Sequence, residues 1–282
     1  MKILPAHREH PRRWESFQFV YPVLSRRSHG LSIGINVNPD KRCNFDCLYC
    51  QVDRTVPPTV TRFDLAAAER ELRELLAMDL ARVPPFDAVP PAQLRLRDIA
   101  LSGDGEPTTL PEFSRVIEMI ARVKPPGCKI VLITDGGGLD RPDVKRGLAV
   151  MDLNEGEIWG KLDAGTEEYF RRVNRTTIPF ARILKNLASA ARERPIVIQS
   201  LFFKIHGVGP DAAEIAAYCQ RLKEIGNIRL VQVYTLARRA MTVVDGMPAW
   251  KFCAALADGE VDAIAARVRR ETGLAAESFY GA

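Results

Sequence analysis

Three cysteines crowd into RCNFDCLYCQ, residues 42 to 51, where Cys43, Cys47 and Cys50 stand at offsets of four and three. Thiols so close in sequence, in a loop just after a strand, can converge on one metal centre. A structural zinc site normally requires a fourth Cys or His at a companion spacing, and no second CxxC occurs in the sequence. A [4Fe–4S] cluster takes four thiolates, so three protein ligands would leave one iron open to a substrate or cofactor. Cys128, Cys219 and Cys253 are isolated and read as packing residues, since free cysteine is among the most buried residue types.

Four further segments carry polar chemistry. In SGDGEPTT, 102 to 109, Gly103 and Gly105 alternate with Asp104, Glu106 and Pro107; small residues let backbone approach a ligand closely, and a tight turn with a capping Thr is the plainer use. TDGGG sets Thr134 and Asp135 ahead of three glycines whose amides could cradle a phosphate or simply turn the chain. EIWGKLD, 157 to 163, ends on Lys161 and Asp163, which either contact a ligand or pair with each other. FFKIHGVG, 202 to 209, holds Lys204 and His206; the latter is the one histidine outside the amino-terminal arm and a candidate acid or base near neutral pH. Arg238 and Arg239 could receive an anionic group or lie on plain surface.

The elements that must position these residues alternate. LSIGINVNP (31 to 39) has period two and reads as a strand with one wet or ligand-facing side, bearing Ser32, Gly34, Asn36 and Asn38. Further strands are expected at 98 to 103, 128 to 134, 157 to 163, 195 to 204 and 228 to 236. Amphipathic stretches at 64 to 82, 111 to 123, 142 to 151, about 165 to 193, 211 to 226 and about 259 to 272 read as helices. Six strand–helix units in alternation call for parallel strands joined by right-handed crossovers, an α/β partial (β/α)6 barrel with outer helices. In such barrels the chemistry gathers at the carboxyl ends of the strands, where the cysteine loop, GDGEPT, TDGGG and KLDAG all fall. The expected organisation is a basic extension over 1–30, the barrel over 31–240 and a helical extension packed on it over 241–282.

Composition agrees with an ordinary globular chain: 282 residues, 46% hydrophobic and 27% charged, are enough for a large core. No stretch approaches the length of a membrane span or signal peptide, which points to a cytoplasmic protein with no membrane partner. The net charge of +5 is uneven, with +4 of it in residues 1 to 30 through Lys2, Arg8, Arg12, Arg13, Arg26 and Arg27. Such an arm could meet RNA, a phosphorylated substrate or an acidic partner, or be a solvated extension.

CxxxCxxC, with Tyr49 just before its last cysteine, resembles the radical S-adenosylmethionine (SAM) superfamily, and the likeness extends through GDGEPT and the strand–helix order from about 31 to 236. The resemblance implies that Cys43, Cys47 and Cys50 bind a [4Fe–4S] cluster whose open iron is chelated by SAM. It implies cofactor contacts at Tyr49, Gly103, Asp104, Gly105, Glu106, Pro107 and Thr134, and a place for Lys161 and Asp163 at the strand end that meets SAM or substrate; Gln199, Gln232 and Tyr234 are candidates for adenine or substrate, and His206 joins Lys161 and Asp163 as a catalytic candidate on its residue type alone. SGDGEPTT looks like the family's Gly-Gly-Glu element with Asp104 in place of one Gly, leaving open which groups there meet the amine of SAM. The implied activity is reductive cleavage of SAM to a 5′-deoxyadenosyl radical that abstracts hydrogen from a substrate, fed by an electron donor such as flavodoxin or ferredoxin. GEPT with EIWGKLDAG looks most like relatives of the tRNA wyosine-forming enzymes, although no cysteine precedes Cys43 to carry their second cluster. A glycyl-radical-enzyme activase and a non-catalytic metal-containing nucleic-acid-binding protein are the alternatives.

Overall fold

The computed structural model describes residues 14–281. Lys2, Arg8, Arg12 and Arg13, which carry much of the expected basic arm, lie outside them. The chain divides into two compact units, the first formed by residues up to 43, 58–133 and 140–158, the second by 44–57, 134–139 and 159 onward.

In the first unit β1 (Val20–Ser25) and β2 (Gly30–Ile35) form an antiparallel hairpin, and β3 (Leu96–Leu101) and β4 (Lys129–Thr134) follow β2 in parallel register. The helix Leu65–Ala77 starts where the Asp64 carboxylate accepts from Ala67 N at 2.9 Å, and it buries Ala68, Leu72 and Leu75. Its Glu71 reaches back to accept from the backbone amides of Gln18, Phe19 and Val20, tying the entry of β1 to the helix. The helices Phe113–Val123 and Pro142–Asp152 pack closely at Gly147, where any Cβ would strike the Phe113 ring.

Beta-strand β2 departs from the expected wet face, because all six of its residues are buried. Tyr21 on β1 lays its ring where a side chain at Gly34 would stand, and Ser32 Oγ donates to Asp98 at 2.5 Å. The strands expected from sequence begin at residue 31, so β1, the partner that dries that face, is not among them.

In the second unit β5 (Gly156–Lys161), which begins in the first, pairs in parallel with β6 (Ile196–Leu201), and the short β7 (Phe203–Ile205) follows. Next comes β8 (Ile228–Tyr234), parallel to β6, with Gln199 opposite Gln232. The small strands β9 (Val243–Val244) and β10 (Met247–Pro248) pair with each other, and β11 (Cys253–Ala255) pairs with β7. The carboxyl-terminal β12 (Ala276–Phe279) lies parallel to β8. Helices Glu167–Asn174, Phe180–Glu193, Ala212–Ile225 and Asp258–Thr272 fill the connections.

The main sheet runs β1-β2-β3-β4-β5-β6-β8-β12, so the expected α/β alternation of parallel strands and helices is present. Two strands of this sheet were not legible, nor were the short β9, β10 and β11 outside it. AESF in β12 is too short and polar to give an apolar run, and β1 lay within the stretch assigned to the basic arm.

Candidate active site

In the first unit, the chain leaving β2 meets the turn after β3. Asn36 forms a reciprocal pair with Asp104: its Nδ2 donates to Asp104 Oδ2 at 2.7 Å, and its Oδ1 accepts from Asp104 N at 3.1 Å. That pair explains the Asp in the SGDGEPTT element, whose carboxylate anchors the turn to the end of β2. A Cβ at Gly105 would collide with the Arg42 carbonyl oxygen, immediately before Cys43, and one at Gly103 with Asn36 Oδ1. Glycine is required at both positions by close approach rather than by backbone angle. Glu106 is buried, and its Oε1 accepts from Thr108 N at 3.0 Å and from Thr108 Oγ1, capping the short turn Pro107–Thr109. The tight-turn role and the capping Thr are thus both present.

In the second unit, four of the expected site residues come together at the end of β5. Lys161 Nζ lies 3.1 Å from Asp163 Oδ1 and donates to Tyr234 OH at 2.6 Å. The same ammonium sits over the rings of Tyr49, at 4.9 Å, and Tyr234, at 5.0 Å. Tyr49 OH donates to Asp163 Oδ2, while Asp163 Oδ1 accepts from Leu201 N at 2.8 Å. Asp163 is fully buried, and the donors around it offset the cost of burying a carboxylate. Burial alone would lower the Lys161 pKa, but Asp163 and then Tyr234 reverse this and hold it above its usual value, as an ammonium. Burial, followed by Asp163, pushes the Tyr49 phenol well up, so it stays a donor.

The cysteine loop is tied into this network. Cys47 belongs to the same buried apolar surroundings as Leu48, Tyr49, Val173 and Phe203. Leu48 N donates to Val173 O at 2.9 Å and Asp46 N to Asn174 O at 3.3 Å. Thr242 Oγ1 donates to Cys47 O at 2.7 Å and Met241 N to Cys50 O at 2.6 Å. Asn174, Met241 and Thr242 escaped the sequence analysis; a helix-ending Asn and a loop Thr carry no pattern that marks them.

The remaining expected residues divide. Gln199 Nε2 donates to Gln232 Oε1 at 2.8 Å, and its buried Oε1 has no partner among the described residues. Thr134 Oγ1 accepts from Gly136 N at 3.0 Å and Asp135 Oδ1 from Gly137 N at 2.8 Å. Two amides of the glycine run are thus already spent within the turn, and Gly136 sits at φ +84°, where glycine is favoured. His206 is exposed in a tight turn, stacked on Phe252 at 5.0 Å, and Lys204 pairs with Glu260 at 2.9 Å. Arg239 lies over Trp250 at 5.2 Å.

None of the six cysteines is in a disulfide; the motif three are half-buried and the other three buried. Burial pushes Cys128 up to about 12 and Cys253 up to about 11, which makes them inert packing thiols. Burial and then Asp163 also push Cys47 up to about 12. A thiolate there would need a cation to hold it; what distinguishes the motif cysteines from the other three is that they are half-buried on one loop, the donor set a metal centre would use. As the side chains stand, no three His, Cys, Asp or Glu among the described residues are in metal-holding geometry.

Comparison with known proteins gives a consistent result. A family model described as "Radical SAM superfamily" matches residues 37–219. A UPF0026 protein of Methanocaldococcus jannaschii is 31% identical over 154 residues, covering 55% of this chain and 43% of the relative. A UPF0026 protein of Helicobacter pylori is 26% identical over 227 residues, 77% of this chain and 65% of the relative. The match thus spans 43% to 65% of the length of these relatives. A solved structure of TYW1 with a lysine–pyruvate adduct bound shares the fold, with TM-score 0.53, 16% identity, and coverage of 86% of this chain and 74% of that one.

Proposed function

Because the chain belongs to the radical SAM superfamily, we propose that Cys43, Cys47 and Cys50 hold a [4Fe–4S] cluster and that the protein is an enzyme cleaving SAM reductively. Enzymes of this family use such a cluster with SAM. Held by Cys43, Cys47 and Cys50, the cluster would take one electron from a small redox protein such as flavodoxin or ferredoxin and would pass it to SAM, supplying the reductive carbon–sulfur cleavage that makes hydrogen abstraction from a substrate possible. The observation that carries the reading is the donor set: three half-buried cysteines on the loop after β2, set apart from three buried ones.

The chain's own residues then have separable tasks. Gly103 and Gly105 let the turn after β3 lie against the stem of the cysteine loop, and Asp104 locks it there. Lys161 is a fixed cation suited to an anionic group of SAM or substrate. Tyr49 presents a ring edge-on to Phe203 at 5.9 Å, helping to keep its surroundings dry. The unpartnered Gln199 Oε1 is suited to receive a donor of the nucleoside or substrate. The TYW1 adduct involves a lysine. Forming one needs a neutral amine, which Asp163 and Tyr234 deny to Lys161. RNA binding through the basic arm rests mostly on Lys2, Arg8, Arg12 and Arg13, outside the described residues, with Arg26 and Arg27 half-buried between β1 and β2.

Anaerobic reconstitution tests the reading. Expected are about four irons per chain and release of 5′-deoxyadenosine when SAM and a reductant are added, both lost in Cys47→Ala. A chain that loads iron but leaves SAM intact refutes it.

A further inference from the structure

Two of the three motif thiols already receive hydrogen bonds from side chains that the sequence motif does not include. Asn174 Nδ2 points at Cys47 Sγ at 3.5 Å, and Arg54 Nη1 at Cys50 Sγ at 3.1 Å. The Asn174 amide cannot turn over, because its nitrogen also donates to the Asp163 carboxylate at 3.0 Å and reaches Tyr49 OH at 3.4 Å. Asn174 is buried, closes the helix Glu167–Asn174, and offers its carbonyl to Asp46 N, one residue before Cys47. The backbone and the side chain of one residue thus both address the Cys47 turn. Arg54 approaches Cys50 from the exposed side, four residues along the same loop.

Resting on the cluster reading above, we propose that Asn174 and Arg54 tune the cluster by donating N–H···S bonds to Cys47 and Cys50, raising its reduction potential. Reduction adds negative charge that spreads over the ligand sulfurs, and donors to sulfur stabilise that added charge. A bond to an ionised sulfur is stronger than one to a thiol, so these contacts tighten when the thiols ligate. The opposing influences are near: the Asp163 carboxylate lies 3.0 Å from the same amide, and the carbonyls of residues 173 to 175 at a helix end face the loop. Both disfavour an added electron. Asn174 is the neutral donor that offsets them from the buried side, and Arg54 is the charged donor that offsets them from the solvent side. Neither is a catalytic residue; each acts through a cysteine.

The test is a redox titration of the reconstituted holoenzyme, followed by electron paramagnetic resonance of the reduced cluster, with iron per chain measured in every sample. Asn174→Ala is expected to disfavour reduction about tenfold, a shift of about 59 mV to more negative potential for one electron. Arg54→Ala folds irrespective of the buried network, and its shift is expected in the same direction. The Arg54 shift should shrink as salt rises, because an exposed charge is screened, whereas the Asn174 shift should not. Arg54→Gln, which keeps a donor without the charge, should fall between wild type and Arg54→Ala. Full iron loading with unchanged potentials in both variants overturns the tuning and leaves the cluster reading standing. A wild-type chain that takes up no cluster overturns both. Shifted potentials in a chain that fails to cleave SAM uphold the tuning and refute only the enzymatic activity.

Discussion

The turn after β3 and the end of β5 hold their polar residues in opposite ways. The GDGEP turn is built locally: Glu106 caps Thr108 two residues on, two glycines make room for neighbouring backbone, and one side-chain pair with Asn36 fixes it. The end of β5 is built from afar, with Tyr49, Asn174, Leu201 and Tyr234 all converging on Lys161 and Asp163. The first depends on the absence of side-chain atoms. The second depends on charge balance, and a buried charge is tolerated only while all its donors are present.

This contrast predicts unlike failures. The largest effect is expected for Asp163→Ala, which strands a mostly buried ammonium and unpairs Tyr49 and Asn174, costing about 3–5 kcal/mol in chemical unfolding. The double variant Lys161→Met with Asp163→Leu should recover most of that, since it removes both charges; equal cost in the double variant would disprove the charge-balance account. Next is Gly105→Ala, expected to cost about 3 kcal/mol because its Cβ meets a backbone carbonyl rather than a flexible side chain. Normal stability and normal iron loading in that variant would show the close approach to be dispensable. Tyr49→Phe removes one charged hydrogen bond and should cost about 2 kcal/mol, read in the same unfolding assay.

The smallest effect is a gain, and it lies on β3 itself. Burial, reinforced by Glu157, raises the Asp98 pKa above its ordinary value of 3.8 despite its bonds from Ser28 and Ser32. The folded chain therefore binds that proton more tightly than the unfolded one. Its contribution is fully favourable below the ordinary value and is lost as pH rises through the raised one. Asp98→Asn should thus raise the melting temperature at neutral pH by an amount that vanishes near pH 4. An unchanged difference across that range would show that ionisation of Asp98 is not what limits stability there.

The parallel strands other than β12 were legible because each carries an apolar run, as KIVLIT in β4 and IVIQSL in β6 do. The cysteine spacing and the GDGEP glycines were legible because each is a short-range pattern. Asn174, Thr242 and Met241 were not, because their partners at Cys47 and Cys50 lie 127 to 195 residues away in sequence; Arg54 is near Cys50 in the chain, but no pattern marks it as a donor to sulfur. His206 showed the converse, a residue rare enough to attract notice that the fold places in an exposed turn against Phe252.

The amino-acid order alone determined the strand–helix alternation, the three-thiol spacing and the glycines that let backbones touch, since periodicity and side-chain size are properties of neighbours in the chain. Only the folded molecule decided which donors surround Asp163 and which side chains reach the cysteine sulfurs, because hydrogen bonding and charge compensation depend on distance in space.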